Sequence, residues 1–225
     1  MCFPRQLFKS EETIVYTQRT TYFQEIGKGP QLRPLLEERV NGLQAHGVMA
    51  SLSSGTYVID GPTLSVSLQF DDMAALEAFV ASPLGQVDSI FAGQLLPLTR
   101  QPARTEILEV LLPLPISNRV PRYIQSTTLI PFAGKNRDVQ TLALGRAEDL
   151  QAAGIRAGVS VHVSGSVDGR LVTDILFDDL AGPEKLQADN HTDAAWHQYL
   201  AQMSALAPRT RQIELFQILV PFQAA

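Results

Sequence analysis

One histidine and one aspartate occupy strand-like segments of this chain where they could do chemistry. His162 lies in Val159–Ser164, where valines alternate with polar residues. Successive side chains of a strand point to opposite faces, so this pattern predicts an imidazole on a polar face, as a general base or a ligand contact. Asp174 interrupts the apolar run Leu171–Phe177. A carboxylate there needs a partner or holds its proton, and either state suits an acid or base. The alternatives are a structural histidine and a structural ion pair or exposed edge position.

Polar side chains also crowd two segments that are similar to each other. Tyr16, Gln18 and Arg19 lie in the first, and Tyr123 and Gln125 lie in the second. Buried polar side chains need hydrogen-bond partners, which a bound ligand or other residues of the protein could supply. We expect the tyrosines and glutamines to bind a substrate and the arginine to act in catalysis.

An aromatic group follows later in the chain. Trp196 and His197 lie on a predicted helix beside Tyr199. The functional interpretation is a pocket wall that stacks against a flat substrate and includes Trp196 and His197. The alternative is that Trp196 belongs to the hydrophobic core.

Composition and motifs exclude several classes of function. The 225 residues carry a formal net charge of −5 and no dense run of Lys or Arg, so we expect no nucleic-acid partner. Cys2 is the only cysteine, which rules out an internal disulfide and a Cys-based zinc site. The four histidines lack a second ligand at metal-binding spacing, so we expect no metal site. The sequence also contains no phosphate-binding loop and no Gly-x-Ser-x-Gly elbow.

The hydropathy pattern predicts no membrane association. No stretch approaches the roughly 20 apolar residues that cross a bilayer. The first ten residues also lack a basic region followed by an apolar one. We expect a cytoplasmic protein.

The chain contains an internal repeat. Residues 16–74 align with residues 123–181 without a gap, and about 30% of the pairs are identical. A second block aligns Glu106–Pro113 with Glu214–Pro221. We therefore predict a tandem duplication.

Each half has the same predicted order of elements: strand, helix, strand, strand, helix, strand. Asp60 and Asp168, each followed by glycine between apolar runs, indicate hairpin turns. This order is the ferredoxin-like unit, which we assign to residues 13–115 and 116–225. Such a sheet has helices on one face only, so the other face needs a cover. We predict an α+β protein whose two ferredoxin-like halves pack sheet to sheet as one barrel.

These features resemble the dimeric α+β barrel superfamily, and within it the NIPSNAP-like and antibiotic-biosynthesis-monooxygenase-like branches. The NIPSNAP-like features are the first strand Gln18–Thr21, the following Gly27-Lys28, and a Trp-bearing helix, His191–Met203, before the last strand. The resemblance covers nearly all of the chain after Glu12.

The two halves also depart from each other. Ser126 stands in the second half where the first has Arg19, and Leu84–Leu96 stands where the second half has its Trp-bearing helix. Such divergence would suit one working cavity and one supporting half.

The resemblance implies a small-molecule enzyme, because the superfamily includes cofactor-independent oxygenases and cyclases of polyketide-like aromatics. It also includes haem-degrading enzymes, isomerases and proteins without a known role, so fold does not decide function. The leading hypothesis is an enzyme of secondary metabolism that oxygenates or cyclises a hydrophobic, aromatic substrate without a cofactor. His162 or Asp174 would remove a proton, and Arg19, Gln125 or a tyrosine would stabilise the enolate-like oxygen.

Two alternatives stay open. One is a non-catalytic binding or scaffold protein that kept the barrel and lost its chemistry. The other is a haem-binding protein with His162 or His197 as axial ligand, and a flavin is likewise left open. Fusion of the halves would let one chain act as a monomer, although edge strands could still pair in a homodimer.

Overall fold

The computed structural model describes residues 15–58, 60–86, 89–115, 119–164, 169–207 and 212–223. Cys2 and Asp168 lie outside the described residues. The strands are β1 (Val15–Phe23), β2 (Met49–Tyr57), β3 (Thr63–Phe70), β4 (Arg104–Leu112), β5 (Tyr123–Leu129), β6 (Arg156–Ser164), β7 (Leu171–Phe177) and β8 (Gln212–Val220). The helices are α1 (Gly29–Ala45), α2 (Met73–Ala81), α3 (Ser89–Leu95), α4 (Asn136–Ala152), α5 (Ala181–Thr192) and α6 (Ala194–Leu206).

The strands form one closed antiparallel barrel in the order β1-β3-β2-β8-β5-β7-β6-β4. Four consecutive strands of the barrel come from each half of the chain. The halves are joined where β2 pairs with β8 and where β4 pairs with β6. Closure gives every strand two neighbours, so the edge strands of each half pair with the other half. The predicted α+β barrel of two ferredoxin-like halves is confirmed.

The two halves pair their strands in the same register. Arg19 of β1 lies opposite Ser67 of β3, and Ser126 of β5 lies opposite Asp174 of β7. The residues that the repeat aligns therefore occupy corresponding places in the barrel. The origin of this likeness in a tandem duplication remains a prediction.

The hydrophobic core consists of two clusters, each between the strands of one half and its helices. Leu36 and Val40 of α1 and Val139 of α4 have no exposed surface. They lie on the apolar stripes that an amphipathic helix turns toward a sheet. Because side chains alternate along a strand, the opposite face of each strand points into the barrel. The barrel interior is therefore a separate compartment from the two helix-covered cores.

The predicted Trp-bearing helix His191–Met203 is wrong in its bounds, because α5 ends at Thr192 and α6 begins at Ala194. The break lies at Asp193, whose backbone is extended and whose Oδ1 accepts a hydrogen bond from Ala195 N at 2.9 Å. A short carboxylate before a helix favours a new N-terminus because it satisfies amide groups that lack helical partners. The break places Trp196 in the first turn of α6.

Candidate functional site

The structure divides the predicted site residues between the two faces of the sheet. In β5, Ser126 and Thr128 line the barrel interior, whereas Gln125 and Thr127 line a pocket beneath the helices of the second half. Alternation along a strand requires this division. Residues from the two sets therefore cannot contact the same atom of one substrate.

His162 lies in the barrel interior, on the polar face that the sequence predicted. Its side chain is 5% exposed and its Nδ1 lies 4.0 Å from Oε1 of Glu106, which is 6% exposed. Burial lowers the pKa of His162. The Glu106 carboxylate raises this pKa, whereas the guanidinium groups of Arg19, Arg170 and Arg104 lower it further. The imidazole is therefore neutral near pH 7, because its ordinary value is already 6.5. A neutral imidazole can accept a proton or a hydrogen bond.

Arg19 and Asp174 meet across the same interior. They lie on β1 and β7, which are not neighbours in the barrel, and Arg19 Nη2 donates a hydrogen bond to Asp174 Oδ2 at 3.4 Å. The structural ion pair, one alternative for Asp174, is therefore present. The three predicted catalytic residues share one compartment, and their catalytic roles remain predictions.

The interior cavity is small and polar. Its volume is about 50 Å³, which is room for roughly three water molecules. Its ionisable lining residues are Arg19, Asp60, Arg104, Glu106, His162, Arg170 and Glu214. The part of the chain that the structure describes contains no group of three His, Cys, Asp or Glu residues that could hold a metal ion.

The second cavity, which we call the aromatic pocket, lies between α4, α5, α6 and the outer face of the second half's strands. Trp196 and Tyr199 stack with ring centroids 5.3 Å apart and planes inclined by 20°. The cavity volume is again about 50 Å³. The pocket is lined by Gln125, Thr127, Ala143, Arg146, Ala147, Leu150, Ala157, Gly158, Thr173, Ile175, Leu186, Asn190, Trp196 and Tyr199.

Arg146 is held in the aromatic pocket by three neighbours. Its Nη2 donates a hydrogen bond to Asn190 Oδ1 at 2.9 Å, and its Nη1 lies 3.6 Å from Asp193 Oδ2. The guanidinium also lies over the Trp196 ring at 5.3 Å from the centroid, a cation–π contact. The buried Nε has no hydrogen-bond partner among the described residues. The cation is thus fixed in place with one N–H donor left for a ligand.

The remaining predicted substrate-binding residues are spread over the fold. Tyr16 and Gln18 lie on the helix-covered face of the first half, where Gln18 Oε1 is buried without a hydrogen-bond partner in the described part of the chain. Tyr123 packs against the core of the second half. His197 is exposed, and its Nε2 lies 3.0 Å from the carbonyl oxygen of His191. Of the predicted binding residues, only Gln125 and Trp196 line the aromatic pocket.

A haem does not fit either predicted axial histidine. The cavity beside His162 has a volume of about 50 Å³, too small for a porphyrin. His197 lies on the surface and does not line the aromatic pocket. Neither histidine therefore suits the role of a haem axial ligand.

Sequence reasoning missed Arg146 and Asn190, which make the centre of the aromatic pocket. A signal was present, because the repeat aligns Arg146 with Arg39 as an identical pair. Arg39 occupies the corresponding place in the first half, but its guanidinium donates a hydrogen bond to the carbonyl oxygen of Leu84. The two halves thus use one arginine position in different ways, because α5, α6 and the residue between them supply Asn190, Trp196 and Asp193 as partners of Arg146.

The fold and the two cavities define an eight-stranded α+β barrel with a helix-covered pocket on the outer face of its sheet. Solved structures of this class resemble the chain over nearly its whole length. A candidate monooxygenase from Fusobacterium nucleatum matches with a TM-score of 0.74, 10% identity, and coverage of 95% of this chain and 96% of that one. An anthrone oxidase-like protein matches with a TM-score of 0.66, 16% identity, and coverage of 94% and 93%.

A candidate monooxygenase from Lactobacillus acidophilus matches with a TM-score of 0.68, 6% identity, and coverage of 93% and 96%. At these identities the likeness concerns the fold. No protein-family model and no curated protein matches the sequence.

None of the helices in the described ranges is long and apolar enough to cross a lipid bilayer.

Proposed function

We propose that this protein is a cofactor-independent oxygenase that binds a flat aromatic ketone in the aromatic pocket. The observation that carries the proposal is Arg146, a fixed cation with an unpartnered Nε–H beside a stacked aromatic wall. We assign the contact with the substrate oxygen to Arg146 instead of Arg19, because the sheet separates Arg19 from this pocket.

The lining of the pocket suits such a substrate. The rings of Trp196 and Tyr199 offer a flat face for stacking, and an apolar floor of alanine, leucine and isoleucine side chains removes ring surface from water. Arg146 would donate its Nε–H to a phenolic or ketone oxygen, and the Gln125 amide could take a second oxygen. A fixed donor stabilises an oxyanion more than a mobile one does, because no reorganisation is needed when the charge forms.

The reaction that we propose starts from a methylene carbon between two aromatic rings, conjugated to a ring ketone. The carbon loses a proton to water, and the resulting enolate is stabilised by Arg146. The enolate supplies the electrons that reduce O₂, so no other reductant is needed. Overall, the CH₂ group and O₂ give a C=O group and one water molecule, with one oxygen atom in each product.

The present volume of the aromatic pocket sets a condition on this proposal. A cavity of about 50 Å³ holds roughly three water molecules, so a three-ring substrate requires α6 to move outward. Trp196 is half-buried in the first turn of α6, where such a movement would open the pocket to solvent. The same stabilised enolate would also serve a cyclisation, and consumption of O₂ distinguishes the two reactions.

The proposal also covers the evolutionary origin of the two halves, the assembly state of the protein and its place in the cell. We propose that the halves arose by tandem duplication, that the chain works as a monomer in the cytoplasm, and that its pathway belongs to secondary metabolism of the antibiotic-biosynthesis-monooxygenase type. Closure of the barrel within one chain supports the monomer.

The test uses anthrone, which the name of one structural neighbour suggests as a substrate. We expect O₂ uptake and anthraquinone formation at a one-to-one ratio in the purified protein, with the product identified by mass. Replacing the Arg146 cation by a neutral amide (Arg146→Gln) should lower kcat/KM by about 100-fold, the usual cost of losing one oxyanion donor. Trp196→Ala should raise KM, because the stacking face is lost.

The matched control is Arg39→Gln, the same substitution at the corresponding position of the first half. It should leave turnover unchanged, and melting curves of both variants should show folded protein. Equal losses in the two variants, or full activity in Arg146→Gln, would refute the assignment. Binding of anthrone without O₂ uptake would instead favour the non-catalytic binding protein.

A further inference from the structure

The barrel interior contains buried polar atoms that lack partners in the described part of the chain. Glu106 and His162 are more than nine-tenths buried, and Glu106 Oε1 and His162 Nδ1 have no hydrogen bond. Other buried atoms in the same condition are Arg104 Nε, Arg170 Nε and Asp174 Oδ1. Buried polar groups in folded proteins are almost always hydrogen-bonded, so this set calls for an occupant.

The unpartnered atoms belong to charges of both signs. Arg104 Nε lies 3.3 Å from Glu106 Oε1, but their geometry does not form a hydrogen bond. Arg170 makes no ion pair with any described residue, and its positive charge acts on His162. A simple anion would be repelled by the carboxylates, and a simple cation by the guanidinium groups. The interior is suited to a molecule that carries both charges.

The repeat shows that several of these charged positions hold neutral residues in the other half. Neutral hydroxyl groups occur elsewhere in the barrel interior, where Thr21 Oγ1 and Ser65 Oγ lie 3.2 Å apart. Buried charges cost more desolvation than hydroxyl groups and are often no more stabilising than neutral replacements. Arg19, Arg170 and Asp174 align in the repeat with Ser126, Thr63 and Ser67.

The size and position of the cavity limit the occupant. About 50 Å³ admits a molecule of a few non-hydrogen atoms. The side chains of Asp60 and Arg104, which line the same cavity, are 52% and 40% exposed, so this end of the barrel reaches solvent. A small polar molecule could enter here without crossing the aromatic pocket.

We propose that the barrel interior is a second binding site, for a small zwitterionic molecule of the size of the simplest amino acids. Its anionic group would contact Arg104 and Arg170, and its cationic group would contact Glu106, all of which line the cavity. His162, as a neutral imidazole, would complete the hydrogen bonds. The site is independent of the proposed oxygenase activity, because it lies on the other face of the sheet.

The experiment follows the His162 ring nitrogens by NMR while glycine, acetate or methylammonium is added to the full-length protein. We expect glycine to shift the His162 signals in a saturable way, and acetate and methylammonium, each with one charge, to bind at least ten-fold more weakly. Glu106→Gln should weaken glycine binding at least ten-fold. Glu109→Gln, the same change on the opposite face of β4, should leave it unaltered.

Three results would overturn the proposal. If none of the probes shifts the His162 signals, the interior holds only water. If acetate alone binds as tightly as glycine, the site takes a simple anion. If both glutamate variants bind like the unmodified protein, the ligand lies elsewhere. Should Glu106→Gln fail to fold, Arg170→Gln replaces it, with the same expected loss of glycine binding.

Discussion

The ion pair across the barrel should contribute measurably to stability. Arg19 Nη2 and Asp174 Oδ2 lie 3.4 Å apart, and the two side chains are 22% and 16% exposed. Asp174→Asn keeps the shape and removes the charge, which leaves the Arg19 cation without its partner. Breaking a fully buried pair costs about 3–5 kcal/mol, whereas an exposed pair contributes about 0–1 kcal/mol. For a single contact that water partly reaches, we expect a loss of about 2 kcal/mol.

The assay is a double-mutant cycle with Arg19→Gln, Asp174→Asn and the double variant, read by thermal and urea unfolding. For a chain of this length, about 2 kcal/mol corresponds to a fall in Tm of about 4–8 °C. The cycle should give a coupling energy of about 1–2 kcal/mol, because each single variant leaves the other group unpaired in the interior.

The control for this cycle is an exposed pair of the same charge types. Lys185 Nζ and Asp189 Oδ2 lie 2.5 Å apart on α5, with side chains 77% and 59% exposed. Lys185→Gln with Asp189→Asn should show a coupling of about 0.3–0.5 kcal/mol, since water screens both groups. An exposed coupling as large as that of the interior pair, or no interior coupling, would refute the argument from burial.

Two other perturbations have outcomes that the structure predicts. Because the pKa of His162 is lowered in the folded protein, the folded state binds fewer protons than the unfolded one, so stability should fall as pH drops below about 6.5. The urea concentration at the unfolding midpoint, measured from pH 7.5 to pH 5, should fall less steeply in His162→Gln than in His46→Gln, a control at an exposed histidine. Equal pH dependence of the midpoint in the two variants would contradict this. Asp193→Ala removes the cap of α6 and a partner of Arg146, so it should cost about 1 kcal/mol and weaken anthrone binding. Asp72→Ala removes a similar cap from α2 and should cost as much stability with no effect on anthrone binding, and a loss of binding in both variants would contradict the role of Asp193.

The sequence contains enough local information for most of the fold. Alternation in the segment around His162 predicted a polar face, and the structure has this residue inside the barrel. The repeat predicted two equal sets of strands, and the register of β1 with β3 is that of β5 with β7. These properties follow from a period of two along a strand and from hydrogen bonding between neighbours, which short segments encode.

Two local signals in the sequence bear on the position of the predicted site residues. Gln18 and Arg19 are adjacent on β1, so alternation alone places their side chains on opposite faces of the sheet. Asp193 is a favoured residue at a helix start, and it divides the predicted Trp-bearing helix into α5 and α6. Of these two signals, only the second corrects a prediction, that of one helix over His191–Met203.

The position of Arg146 in the aromatic pocket was decided by tertiary structure. Arg146 lies on α4, and the groups that hold it lie 44 or more positions further along the chain, at Asn190, Asp193 and Trp196. Arg39 is the residue of the first half that the repeat aligns with Arg146, yet its guanidinium donates a hydrogen bond to a backbone carbonyl oxygen. A residue type and its spacing determine which helix face a side chain occupies. The partners that it meets depend on how distant helices pack over the sheet, and no short segment contains that information.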